Sequence, residues 1–232
     1  MKEISTKRLD LIPNIDELNK KCKQISILDY IFTLPIGPLF GKRRWISPYD
    51  GWGYMSGGNN FFQIYFDENG ALILGHWSDS TADLYRASEK ILPGLVEDLP
   101  SCFSKYLNAF HSKLGFYVLT YCIWRKNEDN NWNIGNIDFS KKLKIKNFDY
   151  DSFDGSEQLL YIFDGNPETY IEWLRDESTY GLEDIEIDMD IVKHIYDYKP
   201  IDKEFLKKIE PYLSDENKEI IAYAIKIGYP CS

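Results

Sequence analysis

Phe61-Phe62-Gln63-Ile64-Tyr65-Phe66, then Asp67-Glu68-Asn69-Gly70, then Ala71-Leu72-Ile73-Leu74-Gly75-His76-Trp77 read as two strands joined by a tight turn. Asp, Asn and Gly suit a type I turn, with Gly70 free to take the left-handed conformation. That is a three-residue hairpin loop with a bulge. It sets Phe66 opposite Leu72, Ile64 opposite Leu74 and Phe62 opposite His76. A two-residue Asn69-Gly70 turn would shift every pair by one. In the first register Phe62, Ile64, Phe66, Leu72 and Leu74 share a core face, and Phe61, Gln63, Tyr65, Ile73 and Trp77 share the other. Both faces carry large apolar groups, so the hairpin is expected to be central and covered on both sides.

Around it, Phe116–Arg125 and Trp132–Phe139 add two β-rich runs, the second with a bulge expected at Gly135. Lys141, Lys142, Lys144 and Lys146 alternate with apolar residues, as in a lysine-protected edge strand. Ser5–Ile12 reads as a further edge strand. Leu18, Cys22, Ile25, Leu28 and Phe32 recur at helical spacing behind an Asn14 cap. Leu84–Leu92 and the stretch after Pro100 also read as helices. From about residue 150 onward the chain reads as short helices, opened by Asp154, Pro167, Asp188, Asp202 and Ser214. The expected fold is therefore α+β: a central antiparallel sheet of at least four strands covered by helices, with a helical C-terminal region. The expected division is a sheet domain over 1–148 and an acidic helical subdomain over 149–232 packed on it.

The chain of 232 residues is long enough for a substantial core, and its net charge of −10 is unevenly distributed. Residues 149–190 hold fourteen acids and one base, Arg175, a net of −13, so the remainder sums to +3. Phosphate contacts need Lys and Arg, which argues against nucleic acid as a partner of this segment. A concentrated negative field instead suits a basic protein partner. No apolar run nears the ~20 residues that span a bilayer, and charged residues interrupt the N-terminus, so neither membrane insertion nor a signal peptide is expected. Cys22, Cys102, Cys122 and Cys231 are widely separated, without CxxC or zinc-ligand spacing. They read as reduced thiols of a cytoplasmic protein.

No nucleotide-binding loop, GxSxG elbow or HExxH motif occurs, and only His76, His111 and His194 are available for histidine chemistry. No catalytic residue, metal or cofactor is assigned. Asp149-Tyr150-Asp151-Ser152-Phe153-Asp154-Gly155 misses the calcium-loop pattern, because the third acid comes one place late and Tyr161 replaces the terminal Glu. The binding candidates form two groups. Trp45, Tyr49, Trp52 and Tyr54 lie in a glycine-rich aromatic stretch, read as an irregular loop and followed by His76, Trp77 and Asp79 at the strand end; rigid aromatic rings there offer contact area to a partner or a sugar. Asp149, Asp151, Glu183, Asp184 and Glu186 lie in the acidic segment.

Three stretches carry a resemblance: Phe66-Asp67-Glu68-Asn69-Gly70 with Gly75-His76-Trp77-Ser78; Cys122-Ile123-Trp124-Arg125 with Asn130-Asn131-Trp132; and Asp154-Gly155-Ser156-Glu157 with Asp164-Gly165-Asn166-Pro167-Glu168-Thr169-Tyr170. They resemble an uncharacterised group of bacterial proteins, similar in character to the cytosolic immunity proteins of polymorphic toxin systems, including the Smi1/Knr4-like superfamily. The resemblance implies a non-enzymatic module that binds and neutralises a basic toxin. The alternative is a small-molecule or carbohydrate-acting enzyme or binding domain, with its site near His76 and the Trp45–Tyr54 stretch.

Overall fold

The computed structural model describes residues 4–32, 45–46, 51–55, 60–80, 82, 92–113, 119–137, 153–176, 186–213 and 219–232. The fold is α+β. The chain divides into two compact units, Met1–Ile15 with Ser47–Tyr161, and Asp16–Ile46 with Ile162–Ser232. The 148/149 boundary read from the sequence lies outside the described residues, as do the Leu84–Leu92 helix, apart from Leu92, and the lysine-rich strand.

In the first unit, Gly51–Met55 (β1), Phe61–Asp67 (β2), Gly70–His76 (β3), Tyr121–Lys126 (β4) and Asn133–Ile134 (β5) pair in sequence order, each antiparallel to the next. The central hairpin is present, but its register differs from both readings. Asp67 pairs with Gly70, Ile64 with Ile73 and Phe61 with His76, so only Glu68 and Asn69 form the turn. The Asp67 carboxylate causes this by accepting the Asn69 N–H at 2.8 Å, which closes the turn one residue early. Gly70 therefore belongs to the strand, at φ +144°, where a Cβ would run into the backbone of Arg125 and Lys126. Its lack of a side chain serves close approach of β4 rather than the loop.

Residues directly opposite in an antiparallel pair share a face. Leu72 and Leu74 thus join Phe61, Gln63 and Tyr65, the reverse of the expected grouping. Phe61, Tyr65, Leu72, Leu74, Cys122 and Trp124 build one core with Leu95, Phe103 and Phe110. Phe103 and Phe110 come from Ser101–Phe103 and the helix Ser104–Lys113 (α2). Trp52, Tyr54, Phe62, Ile64, Ile73, Tyr121 and Ile123 line the other face and are all buried. Every residue of β3 is buried, so the sheet is covered on both sides, as expected.

Two expected strands are shortened or lost. Ser5–Ile12 is a turn with one 3-10 segment, Leu9–Leu11: its backbone bonds are local, Arg8 N–H to the Ser5 carbonyl and Leu11 N–H to that of Arg8, and the Thr6 N–H goes to Ser156 Oγ rather than to a ladder. Among the described residues, the run from Trp132 keeps Asn133–Ile134 as strand. A Cβ at Gly135 would meet the Gly94 and Leu95 backbone, so Gly135 permits a close crossing there.

The second unit is helical. Ile15–Phe32 (α1) is buried almost without break from Gln24 to Phe32, polar residues included. A single buried stripe was expected; the helix is instead the centre of its unit. Gln24 Nε2 donates to the carbonyls of Ile195 and Tyr196 at 3.0 and 2.6 Å. Tyr30 stacks on Tyr223, and Phe32 meets Tyr212 edge-on with centroids 5.2 Å apart. In the first unit Ser156–Leu160 (α3) starts the helical half; Pro167–Asp176 (α4), Met189–Tyr196 (α5), Lys203–Ile209 (α6) and Ile220–Ile227 (α7) follow in the second. Asp188 and Asp202 cap α5 and α6 through the N–H groups of Asp190 and Phe205. Among the described residues, no helix is long and apolar enough to cross a membrane.

Candidate functional site

The aromatic stretch is not a loop in its second half. Gly51 starts β1 because a side chain there would collide with the Ile64 carbonyl, 2.5 Å from the Cβ position. The strand then turns Trp52 and Tyr54 onto the sheet, where they are 7% and 2% exposed. Tyr54 packs on Phe62 with ring centroids 5.6 Å apart. Trp45 lies in a two-residue strand, Trp45–Ile46. Tyr49 lies outside the described residues.

His76 ends β3, 1% exposed, with its ring 5.5 Å from that of Phe61. Trp77 follows, half-buried, and Asp79 is exposed in the next turn. His76 is thus an interior side chain and Asp79 a surface one. Among the described residues, no group of three His, Cys, Asp or Glu side chains is placed to hold a metal ion.

A polar junction that the sequence did not signal lies at the same strand end. Asp154 is fully buried, and its carboxylate accepts the Thr6 hydroxyl at 2.5 Å, the Ser156 hydroxyl at 2.6 Å and the Ser156 N–H at 2.9 Å. The Thr6 N–H donates to Ser156 Oγ at 3.0 Å, closing a ring. Thr120 Oγ1 donates to the Asp154 carbonyl at 2.7 Å and accepts the Trp77 N–H at 3.1 Å. Burial pushes the Asp154 carboxyl above its ordinary value; the Ser156 and Thr6 hydrogen bonds pull it down, and the nearby Glu157 charge adds to the rise. The sequence pattern suggests a helix cap at Asp154. The residue at the N-terminus of α3 is instead Gly155, left-handed at φ 78°, with Trp77 packed where its Cβ would be.

Of the acidic candidates, Asp149, Asp151, Glu183 and Asp184 lie outside the described residues, and Glu186 is exposed. The described acids of this segment play different parts. Asp154 is interior. Asp188 and Asp190 both face Lys208 Nζ, at 3.4 and 3.3 Å. Asp164 is exposed and holds the start of α4, accepting from the Asn166 N–H and the Thr169 hydroxyl. On α4, Tyr170, Trp173 and Leu174 are buried, while Glu168 and Glu172 are exposed one turn apart. Glu168 and Glu172 therefore present negative charge on one side of α4, with Asp164 exposed just before it.

No family model, no curated protein and no solved structure matches this chain. A functional reading rests on the residues themselves.

Proposed function

We propose that the protein is a non-enzymatic binding module of the immunity type, acting in the cytoplasm by engaging and neutralising a basic protein toxin. The observation that supports this is the charge of residues 149–190, net −13 in a chain of net −10. Glu168 and Glu172 show how such charge reaches the surface: the apolar side of α4 is buried and its carboxylates are exposed. Exposed like charges on one helix cost stability, typically a few tenths of a kcal/mol per pair, so they suit a partner that brings opposite charge. Steering by such a field raises encounter rates, while apolar contacts supply most of the affinity.

The alternative, a sugar or small-molecule site near His76, would have to use rings other than Trp52, Tyr54 and His76 for surface stacking, because these three are buried.

The test is capture from the host lysate with the tagged protein and with a Glu168→Lys/Glu172→Lys variant. The reading expects one stoichiometric basic protein that the variant loses, and that arrests growth when expressed without this chain. A variant that captures the same protein equally well, or a partner that is harmless alone, would overturn the reading.

A further inference from the structure

We propose that the outer face of α7 is a self-association surface: two copies of this chain pair their α7 helices antiparallel across a two-fold axis. The composition of the helix suits contacts on two sides. Of the eight residues of Ile220–Ile227, only Lys226 is charged, and four are isoleucine. One side meets α1. Ile220 and Ala224 are buried there, the Tyr223 ring stacks on Tyr30, and its hydroxyl bonds that of Ser26. The opposite side carries Ala222 and Ile225, both exposed, beside the partly buried Ile221. Ile225 is 64% exposed, and it is the one large apolar side chain so placed among the described residues.

A helix packed on one side ordinarily turns polar residues outward. Its neighbours in the same unit do so: α4 exposes Glu168 and Glu172, and α6 exposes Lys203, Glu204, Lys207 and Lys208. The outer face of α7 departs from that pattern, and its charges say what fits it. Glu219, the residue before the helix, and Lys226, in its last turn, are both exposed. They lie two turns apart on the same side, about 10 Å along the axis. Among the described residues neither is ion-paired. The face thus carries one charge of each sign, at opposite ends. A basic toxin would meet Lys226, and an acidic partner would meet Glu219. An inverted copy of the same face matches both.

With the two-fold axis level with Ala222 and Tyr223, each helix sets its Glu219 against the Lys226 of the other, as flanking charges do in antiparallel helix pairs. Ile225 of one helix then lies over Ala222 and Ile221 of the other. A large side chain meets a small one, which lets the axes approach closely. The two helix dipoles oppose each other, which also favours this orientation. In such an isologous contact one patch serves both copies, so a single face closes the dimer. Eight residues span about 12 Å, and so short a contact buries less than the roughly 1,200 Å² of a standard interface, so the dimer is weak and forms at high concentration. Dimerisation through α7 is independent of whether α4 meets a basic partner.

The experiment is sedimentation equilibrium of the purified full chain from micromolar to millimolar concentration, with far-UV circular dichroism confirming that each variant folds. The apparent mass of the wild-type protein should rise from one chain towards two. Ile225→Glu, a change at an exposed position, should weaken association by about tenfold or more. Glu219→Lys and Lys226→Glu should each weaken it several-fold, because each sets like charges together. The double reversal restores opposite signs and should return association to within about twofold of wild type. A single-chain mass up to millimolar concentration, equal dimerisation by Ile225→Glu, or a double reversal as weak as the single ones would each overturn the proposal. A chain that stays monomeric while Ile225→Glu loses a partner captured from lysate would overturn it too, and would assign the face to a different protein. The wild-type series decides the matter even if a variant fails to fold.

Discussion

Gly75 and Tyr121 are directly opposite on β3 and β4, and the Tyr121 ring fills the space a side chain at 75 would take. A Cβ there would lie well under 3.0 Å from two ring carbons and the phenol oxygen. Gly75 is not at positive φ, so Gly75→Ala probes space alone. Overpacking of this kind costs about 1–3 kcal/mol. Loss of glycine's freedom in the unfolded chain offsets roughly 0.4–1 kcal/mol of it. The net is a destabilisation of about 1–2 kcal/mol. Tyr121→Val is also destabilising, because it empties a fully buried site. Together the two changes should cost less than their sum, by about 1 kcal/mol or more, since the second removes the obstacle to the first. The assay is a double-mutant cycle by urea denaturation, with far-UV circular dichroism confirming that each variant folds. Additivity within roughly 0.3 kcal/mol would refute the reasoning, and with it the register that sets Gly75 against Tyr121.

Three further outcomes are expected. Asp202→Ala removes the carboxylate that accepts the Phe205 N–H and should cost about 1 kcal/mol, while Asp202→Ser should recover most of it; equal losses in the two variants would argue against a capping role. Burial pushes the Cys22 and Cys122 thiols up, so both should resist a thiol reagent in the native protein while the half-buried Cys102 and Cys231 react; uniform labelling of all four cysteines would contradict their placement. Burial, with a smaller contribution from Tyr106, raises the Tyr65 phenol from 10.0 to about 12. The folded state therefore keeps that proton longer than the unfolded chain. The associated stability is complete below the ordinary tyrosine value and declines as pH rises towards about 12. Urea midpoints that stay constant across that alkaline window would rule this out.

The hairpin, the antiparallel sheet and most helix starts were legible because they are local. Asp202 and Asp188 sit one residue before their helices, and Pro167 opens α4, as their chemistry dictates. Register was not legible, because one side-chain hydrogen bond at Asp67 decides between turns that differ by a residue. Glycines misled for a related reason: Gly70 and Gly135 look like a turn and a bulge, but each makes room for backbone distant in sequence. The Trp52–Tyr54 stretch read as a loop because glycines alternate with aromatics, a pattern that also fits a strand packed closely against its neighbour. The Asp154 junction left no sequence signal. Its partner Thr6 is remote, and Asp-Gly-Ser-Glu is what a helix cap also looks like. For the acidic segment, composition gave the charge, but not that Asp154 is interior or that Asp188 and Asp190 share Lys208.

The most direct test of the binding account is the association rate of the captured partner, measured against salt for the wild-type chain and for Glu168→Lys/Glu172→Lys. Electrostatic steering predicts a wild-type rate that falls about tenfold or more between low and high salt, with a much smaller change in dissociation. The variant should begin slow and respond weakly to salt. An association rate indifferent to both salt and charge reversal would contradict the claim that the acidic segment meets a basic partner.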